Sequence, residues 1–466
     1  MIEQLWLHPP LAFARLGPSP VPCDNYRWGP SDLSPRGTGK TTVVPAPTLD
    51  VAADGTLTER MPEQVRFKDD RGFRPVCPFF ELHGTWTADG QRRTGPVTTE
   101  VLAGFGLGPA DVRWEVAVAN LKPHQYTQVD GDRVEARVQV RGDDHRRHGL
   151  AGRSPQGTGL VPLVPPGAEV PLGSVQLPAP DSTFPELRLR FTPAVGAVYG
   201  PTDLAQKTSR YTLPAGRLVL NPDARWCSYE MDPDDPRTVP QELFAGAESQ
   251  RGLGLVDDVC DGLVTVTLPG GLVATARIVV SPPDFAPDRR PFVSLADGLT
   301  DRVRRGDVRE PAYLGDVRRT ALEVRDLFER VLEAMSAVNV DVQNDRATLE
   351  NAGLAGPLGV DPAEARSRTF APPEPLLGVL LGLTERARRR HRRFVALEVL
   401  EDLMREQPEL IERVIRGPVT DERMYDRRMP VSMRGSDAFP MHLTRRQYDL
   451  LVGWAHSLRT EIEAGT

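Results

Sequence analysis

The stretch LGLVDDVCDGLVTVTLPGGLVATARIVVSPPDFAPDRRPFVSLADGL, residues 253–299, decides the reading of the fold. Within it Leu263, Val264, Val266 and Leu268 form a β-branched-rich run, Pro269-Gly270-Gly271 supplies turn chemistry, and Val273, Ala276, Ile278, Val279 and Val280 form a second run. The pattern predicts a β-hairpin. Ser281-Pro282-Pro283 then removes backbone donors, so Asp284-Phe285-Ala286-Pro287 must leave the sheet as a rigid extended exit. Those residues read as a fixed turn rather than a catalytic box.

Upstream of the hairpin the chain reads as short strands between Pro/Gly-rich connections, at 5–7, 112–118, 134–140, 187–191 and 217–220. Residues 18–61 and 149–180 are poor in aliphatic periodicity and rich in Pro, Gly, Ser and Thr, which predicts surface or disordered excursions. No fixed-period repeat is visible, which argues against a solenoid or propeller. After Asp301 the period changes. Residues 316–338 place Leu322, Val324, Leu327, Phe328, Val331, Leu332 and Met335 together as an apolar helical face, with Arg325, Asp326, Glu329, Arg330 and Glu333 largely opposite. Further helical sections are expected at 375–383, 394–404 and from 408 to 415, and a last helix at 444–462. The fold class is therefore α+β: a β-rich, sandwich-like region over 1–299 with long Pro/Gly loops, then a mainly α-helical region over 300–466.

Composition narrows the function classes. With 466 residues, 39% hydrophobic and 26% charged, the chain is an ordinary globular one despite its 45 prolines and 41 glycines. A formal net charge of −7 provides no basic field for nucleic acid, so no nucleic-acid partner is expected. Lysine occurs only at Lys40, Lys68, Lys122 and Lys207, a scarcity ascribed to codon bias rather than chemistry. The N-terminus, MIEQLWLHPPLAFARLG, has no secretory-signal pattern, and no window approaches the length of a membrane span; a cytoplasmic location and no membrane partner are the expectations. Cys23, Cys77, Cys227 and Cys260 have no CxxC spacing and read as free structural thiols.

Several clusters carry candidate chemistry. Gly37-Thr38-Gly39-Lys40-Thr41-Thr42 resembles the end of a phosphate-binding loop, but Ser34 stands where its first glycine belongs and Val43-Val44-Pro45 cannot open the required helix. His145 and His148, with Asp143 and Asp144, could present metal ligands; a solvated loop tip between Arg146 and Arg147 is the plainer reading. Asp257, Asp258 and Asp261, with Asp284, could hold calcium, or more simply cap turns at the hairpin mouth. The arginine run 386–393 with His391 could grip phosphate or an acidic partner, yet on a helix it spreads around the circumference as a solvated face. His124 and Tyr126 join His145 and His148 as the only polar cluster open to nomination for an alternative chemistry.

A family resemblance runs over most of the chain, in order. Asp257-Asp258-Val259-Cys260-Asp261-Gly262 followed by Pro282-Pro283-Asp284-Phe285-Ala286-Pro287 resembles the quinoprotein lysine ε-oxidase and glycine oxidase family. The same holds for His8-Pro9-Pro10 with Ala14-Arg15-Leu16-Gly17-Pro18, for Phe67-Lys68-Asp69 through Phe79-Phe80-Glu81-Leu82, and for Trp114 through Lys122 with Tyr126. Arg428-Met429-Pro430 and Leu443 through Tyr448, with Trp454-Ala455, are similar to a fourth landmark. The resemblance implies the fold, and an oxidase of primary amines carrying a cysteine tryptophylquinone. Trp226-Cys227 does not suit that cross-link, because adjacent side chains diverge along an extended chain. Family members also continue past this last landmark into the part that supplies the cross-linked pair, so the expectation is a member without the cofactor. No catalytic, cofactor-binding or metal residue is assigned, and no cofactor is expected. The functional expectation is a binding, scaffold or accessory protein with a protein partner, beside an oxidoreductase or in a biosynthetic cluster. The alternative is an oxidoreductase on an amine or amino acid using a metal, another modified residue or a partner-supplied site.

Overall fold

The structure is a computed structural model and describes residues 2–31, 41–157, 159–230, 252–284, 286–336 and 442–463, with short pieces between 406 and 418. The chain divides into two compact units, Met1–Tyr26 with Pro45–Phe285, and Arg27–Val44 with Ala286–Thr466.

The first unit holds two large sheets. One has the order β1 (Ile2–His8), β9 (Phe79–Ala88), β15 (Arg188–Thr192), β14 (Val170–Gln176), β13 (His148–Gly152), with β10 (Gln91–Pro96) also on β9. The other runs β12 (Val134–Arg141), β11 (Arg113–Asn120), β19 (Asp261–Leu268), β20 (Leu272–Ser281), β2 (Leu11–Arg15). Every pairing in the second sheet is antiparallel except β2 with β20. Alternation makes it one-sided: Trp114, Val116 and Val118 of β11, Val264, Val266 and Leu268 of β19 and Ala274, Ala276 and Ile278 of β20 are buried, while the intervening residues face out. These side chains share one core with Leu5, Leu7, Phe80, Leu82, Leu189 and Phe191 of the first sheet. The hairpin read from residues 263–280 is β19–β20, paired from Asp261↔Val279 to Leu268↔Leu272, and Gly270 and Gly271 turn it at φ +85° and +81°.

Three short strands, β16 (Val198–Pro201), β17 (Leu218–Leu220) and β18 (Val256–Asp257), form a small third sheet. The antiparallel pairs β5–β6 (Thr48–Val51, Leu57–Arg60) and β7–β8 (Lys68–Asp69, Gly72–Phe73), with the two-stranded sheet of β3 (Tyr26–Ser31) and β4 (Thr41–Pro45), which falls largely in the second unit, complete the described strands, and short helices α1 (Thr99–Ala103), α2 (Lys122–Thr127) and α3 (Leu204–Lys207) lie in the connections.

Residues 18–61, expected at the surface, carry the short strands β3 to β6 and contribute no described residue to the shared core. One expectation fails here. Residues 149–180 contribute β13 and β14 to the first sheet and bury Leu163, Val164, Val170, Leu172, Val175 and Leu177. The cause is a bulge. Gly173 takes φ +118°, and a Cβ there would lie 2.5 Å from the Thr192 carbonyl, so the inward phase slips between Leu172 and Val175 and hides the alternation.

In the second unit, α4 (Leu295–Arg304), α5 (Pro311–Leu314), α6 (Val317–Ser336) and α7 (Arg445–Glu463) pack through Val324, Leu327, Phe328, Leu450, Leu451 and Trp454. Leu322, expected on the packed face of α6, is exposed, because at about 100° per residue it lies opposite the buried Thr320, Val324 and Phe328. Near 408–415, Ile411 and Ile415 are buried and joined by an Ile415 N–H to Ile411 carbonyl bond of 2.8 Å; residues 375–404 lie outside the described residues. Among the described residues no helix is long and apolar enough to cross a membrane.

Candidate functional site

The site is built by the turn that ends β12. Gly142 follows Arg141, and a Cβ there would meet the Pro109 carbonyl at 2.3 Å, so only glycine lets the chain pass. Gly142 N–H donates to Val112 (2.9 Å) and Asp144 N–H to Arg141 (2.8 Å), which closes the turn. Asp144 Oδ1 then accepts from the Arg146 backbone N–H at 3.2 Å, an Asx-type turn, and the carboxylate takes the Arg146 guanidinium in a fork, Nε at 2.9 Å and Nη2 at 2.7 Å. Asp143 accepts from Arg141 Nε, and His148 Nε2 lies 3.2 Å from Asp144 Oδ2. From behind, Gln176 Nε2 donates to the His145 carbonyl (3.0 Å) and to Ala52 (2.8 Å), while His145 Nδ1 donates to the Leu177 carbonyl at 3.1 Å.

An open groove of about 700 Å³ lies against this turn, lined by Arg113, Gln139, Arg141, Asp143, Asp144 and Arg146. The ladder register sets Arg113 directly opposite Arg141 on the outward face. Hydrogen bonding from Arg146 holds Asp144 well below the usual carboxylate range, Arg141 does the same for Asp143, and both guanidiniums are pushed up in return. Arg113 has no carboxylate within ion-pairing distance among the described residues. Three guanidiniums against two carboxylates leave the groove cationic, suited to binding an anionic group.

The other nominated residues fall in different places. His145 is half-buried in the turn between β12 and β13, its Nδ1 on the Leu177 carbonyl, and among the described residues no group of three or more His, Cys, Asp or Glu is arranged to hold a metal. His124, on α2, has its Nε2 3.5 Å from Asp130, and Tyr126 stacks on Trp226 with ring centroids 5.7 Å apart and planes at 28°. Trp226 also meets Tyr229 (5.9 Å), donates Nε1 to the Leu255 carbonyl (3.1 Å), and donates its backbone N–H to the fully buried Asp132 (3.3 Å). Burial raises the Asp132 carboxyl. Cys227 points elsewhere, its Sγ against Gly254, and burial pushes its thiol up to about 12.

The aspartates at the hairpin mouth separate. Asp257 accepts from Lys122 Nζ and from Asn120 Nδ2, Asp258 accepts from the backbone of Gly196 and Ala197, and Asp261 is exposed. Asp258 therefore pins a distant loop rather than capping its own turn. Asp284 reaches Arg15 at 3.6 Å. Gly37 to Lys40, the run 386–393 and His391 lie outside the described residues, and Thr41 opens strand β4.

Arg113 was missed. Its signal was its place at the start of the strand read at 112–118, which an antiparallel partner at 134–140 sets opposite the residue after that strand. Away from the groove, His83 Nε2 meets Glu81 at 2.9 Å, and Glu81 takes Arg188 at 2.7 Å.

No protein-family model matches this chain, and no curated protein matches it. Among solved structures, it is similar to L-Lys epsilon-oxidase from Marinomonas mediterranea, determined as the Schiff base intermediate with L-Lys. That match has 17% identity and a TM-score of 0.32, and covers 64% of this chain and 38% of that one. It therefore spans well under half of that enzyme's length.

Proposed function

We propose that this chain is a cytoplasmic binding or accessory protein, distantly related to the quinoprotein amino-acid oxidases, that works through a protein partner without a quinone of its own. The observation that carries the reading is the groove beside residues 141–146. Its lining offers guanidinium, carboxylate and carboxamide groups for recognition, and no thiol, imidazole or indole for chemistry. The state of the Trp226-Cys227 pair supports it. The indole is held between Tyr126 and Tyr229, the thiol packs against Gly254, and the thiol stays protonated at neutral pH.

Intact-mass spectrometry beside an ultraviolet-visible spectrum of the purified protein tests this. The expected result is the mass of the unmodified 51.3 kDa chain with no visible absorbance. A mass deficit with quinone absorbance, or peroxide released with any amino acid, would overturn it in favour of an amine or amino-acid oxidoreductase.

A further inference from the structure

Resting on that reading, we infer that Arg113, Arg141 and Arg146 form a carboxylate-recognition site whose occupant is an acidic segment of a protein partner. Like charges placed directly opposite each other on neighbouring strands repel, with Cβ atoms about 5 Å apart. Elsewhere on this outward face the ladder avoids the problem, since Glu115 accepts from both Arg137 and Gln139. At the end of the same ladder Arg113 faces Arg141 with no carboxylate of its own among the described residues.

The two turn aspartates do not fill that gap. Asp143 is taken by Arg141 and Asp144 by Arg146, so they orient those guanidiniums and leave the charge on Arg113 for an incoming group. A guanidinium matches a carboxylate in planar, bidentate geometry. The groove is open and about 700 Å³ in volume, room for several side chains of an extended chain rather than for one small anion. The Asp144–Arg146 fork, set by the Asx turn, places one guanidinium at the groove wall before any partner arrives.

The test titrates the full chain with a labelled glutamate-rich peptide at low salt. Arg113→Gln is compared with Arg277→Gln, which removes an exposed charge from the same face on β20. Saturable binding is expected, weakened about tenfold by Arg113→Gln and less than about twofold by Arg277→Gln. The melting temperature of Arg113→Gln should hold or rise, because the change relieves the repulsion with Arg141, so lost binding cannot be ascribed to unfolding. No saturable binding, equal losses in both variants, or displacement of the peptide by inorganic phosphate at equal concentration would each overturn the inference, the last by showing a small-anion site. The mass and spectrum of the same preparation report separately on the binding-protein reading, so either can fail alone.

Discussion

Asp258 has no exposed surface, yet only one of its oxygens is served: Oδ2 accepts from Gly196 N–H (3.0 Å) and Ala197 N–H (2.7 Å), and Oδ1 has no partner. Burial pushes its carboxyl up to about 6, with the two amides pulling the other way and Asp257 adding to the rise. An acid raised on folding binds its proton more tightly in the native state. Its contribution is complete below the unfolded value near 4 and is lost as pH rises through about 6, on the order of 3 kcal/mol for this shift. Asp24, Asp297 and Asp301 run the opposite way. Burial alone would raise them, but arginine partners hold them low, so their contribution is present above about pH 4 and fades only below it. The two windows do not overlap. Asp258→Asn should therefore flatten the decline in urea stability between about pH 4.5 and 7 and leave the acid limb unchanged. An unchanged slope would show that Asp258 is already ionised throughout. This carboxylate was visible in the sequence only as one of a cluster; the loop it holds lies 61 residues away for Ala197, a separation no local pattern encodes.

Hairpin β19–β20 rests against β11 through Gly262, where a Cβ would sit 2.0 Å from the Ala117 carbonyl. Gly262→Ala must either break that ladder or displace β11, at a cost of about 2–3 kcal/mol readable as a shift in urea midpoint. Elements with an unbroken period were legible from the sequence. The hairpin alternates over its whole length, and α7 begins with Thr444 and Gln447 capping each other at 3.0 and 3.2 Å, a spacing visible in the chain. Where the period breaks, legibility ended. Gly173 shifts the phase of β14, the four-residue strands β5 and β6 are too short to show one, and the polar connection hid both. The groove was half legible. Asp143, Asp144, His145 and His148 were singled out as a polar set, but their roles depend on which arginine each meets, and Arg113 enters only through ladder register.

At the scale of the molecule, the four thiols are free, Cys227 and Cys260 are buried, and desolvation pushes Cys23 up to about 11 and Cys227 up to about 12. Because the thiolate is the reactive form, titration with an aromatic disulfide at pH 8 should leave Cys227 and Cys260 unmodified in the native protein and count all four in guanidinium chloride. Rapid native reaction of four thiols would contradict the burial. Net charge sets a second global condition: at −7 the chain as a whole repels the acidic partner inferred for its groove, so recognition there depends on short-range, bidentate contacts rather than on long-range steering. The lysines add a further consequence. Lys122 holds Asp257, Lys207 Nζ donates to the Cys227 carbonyl at 2.5 Å, and Lys68 stands 4.1 Å over the Phe73 ring. Reagents that capture primary amines, from biosensor coupling to cross-link mapping, will find few anchors on this guanidinium-rich surface, and every adduct at Lys122 or Lys207 will loosen the strut that it reports on.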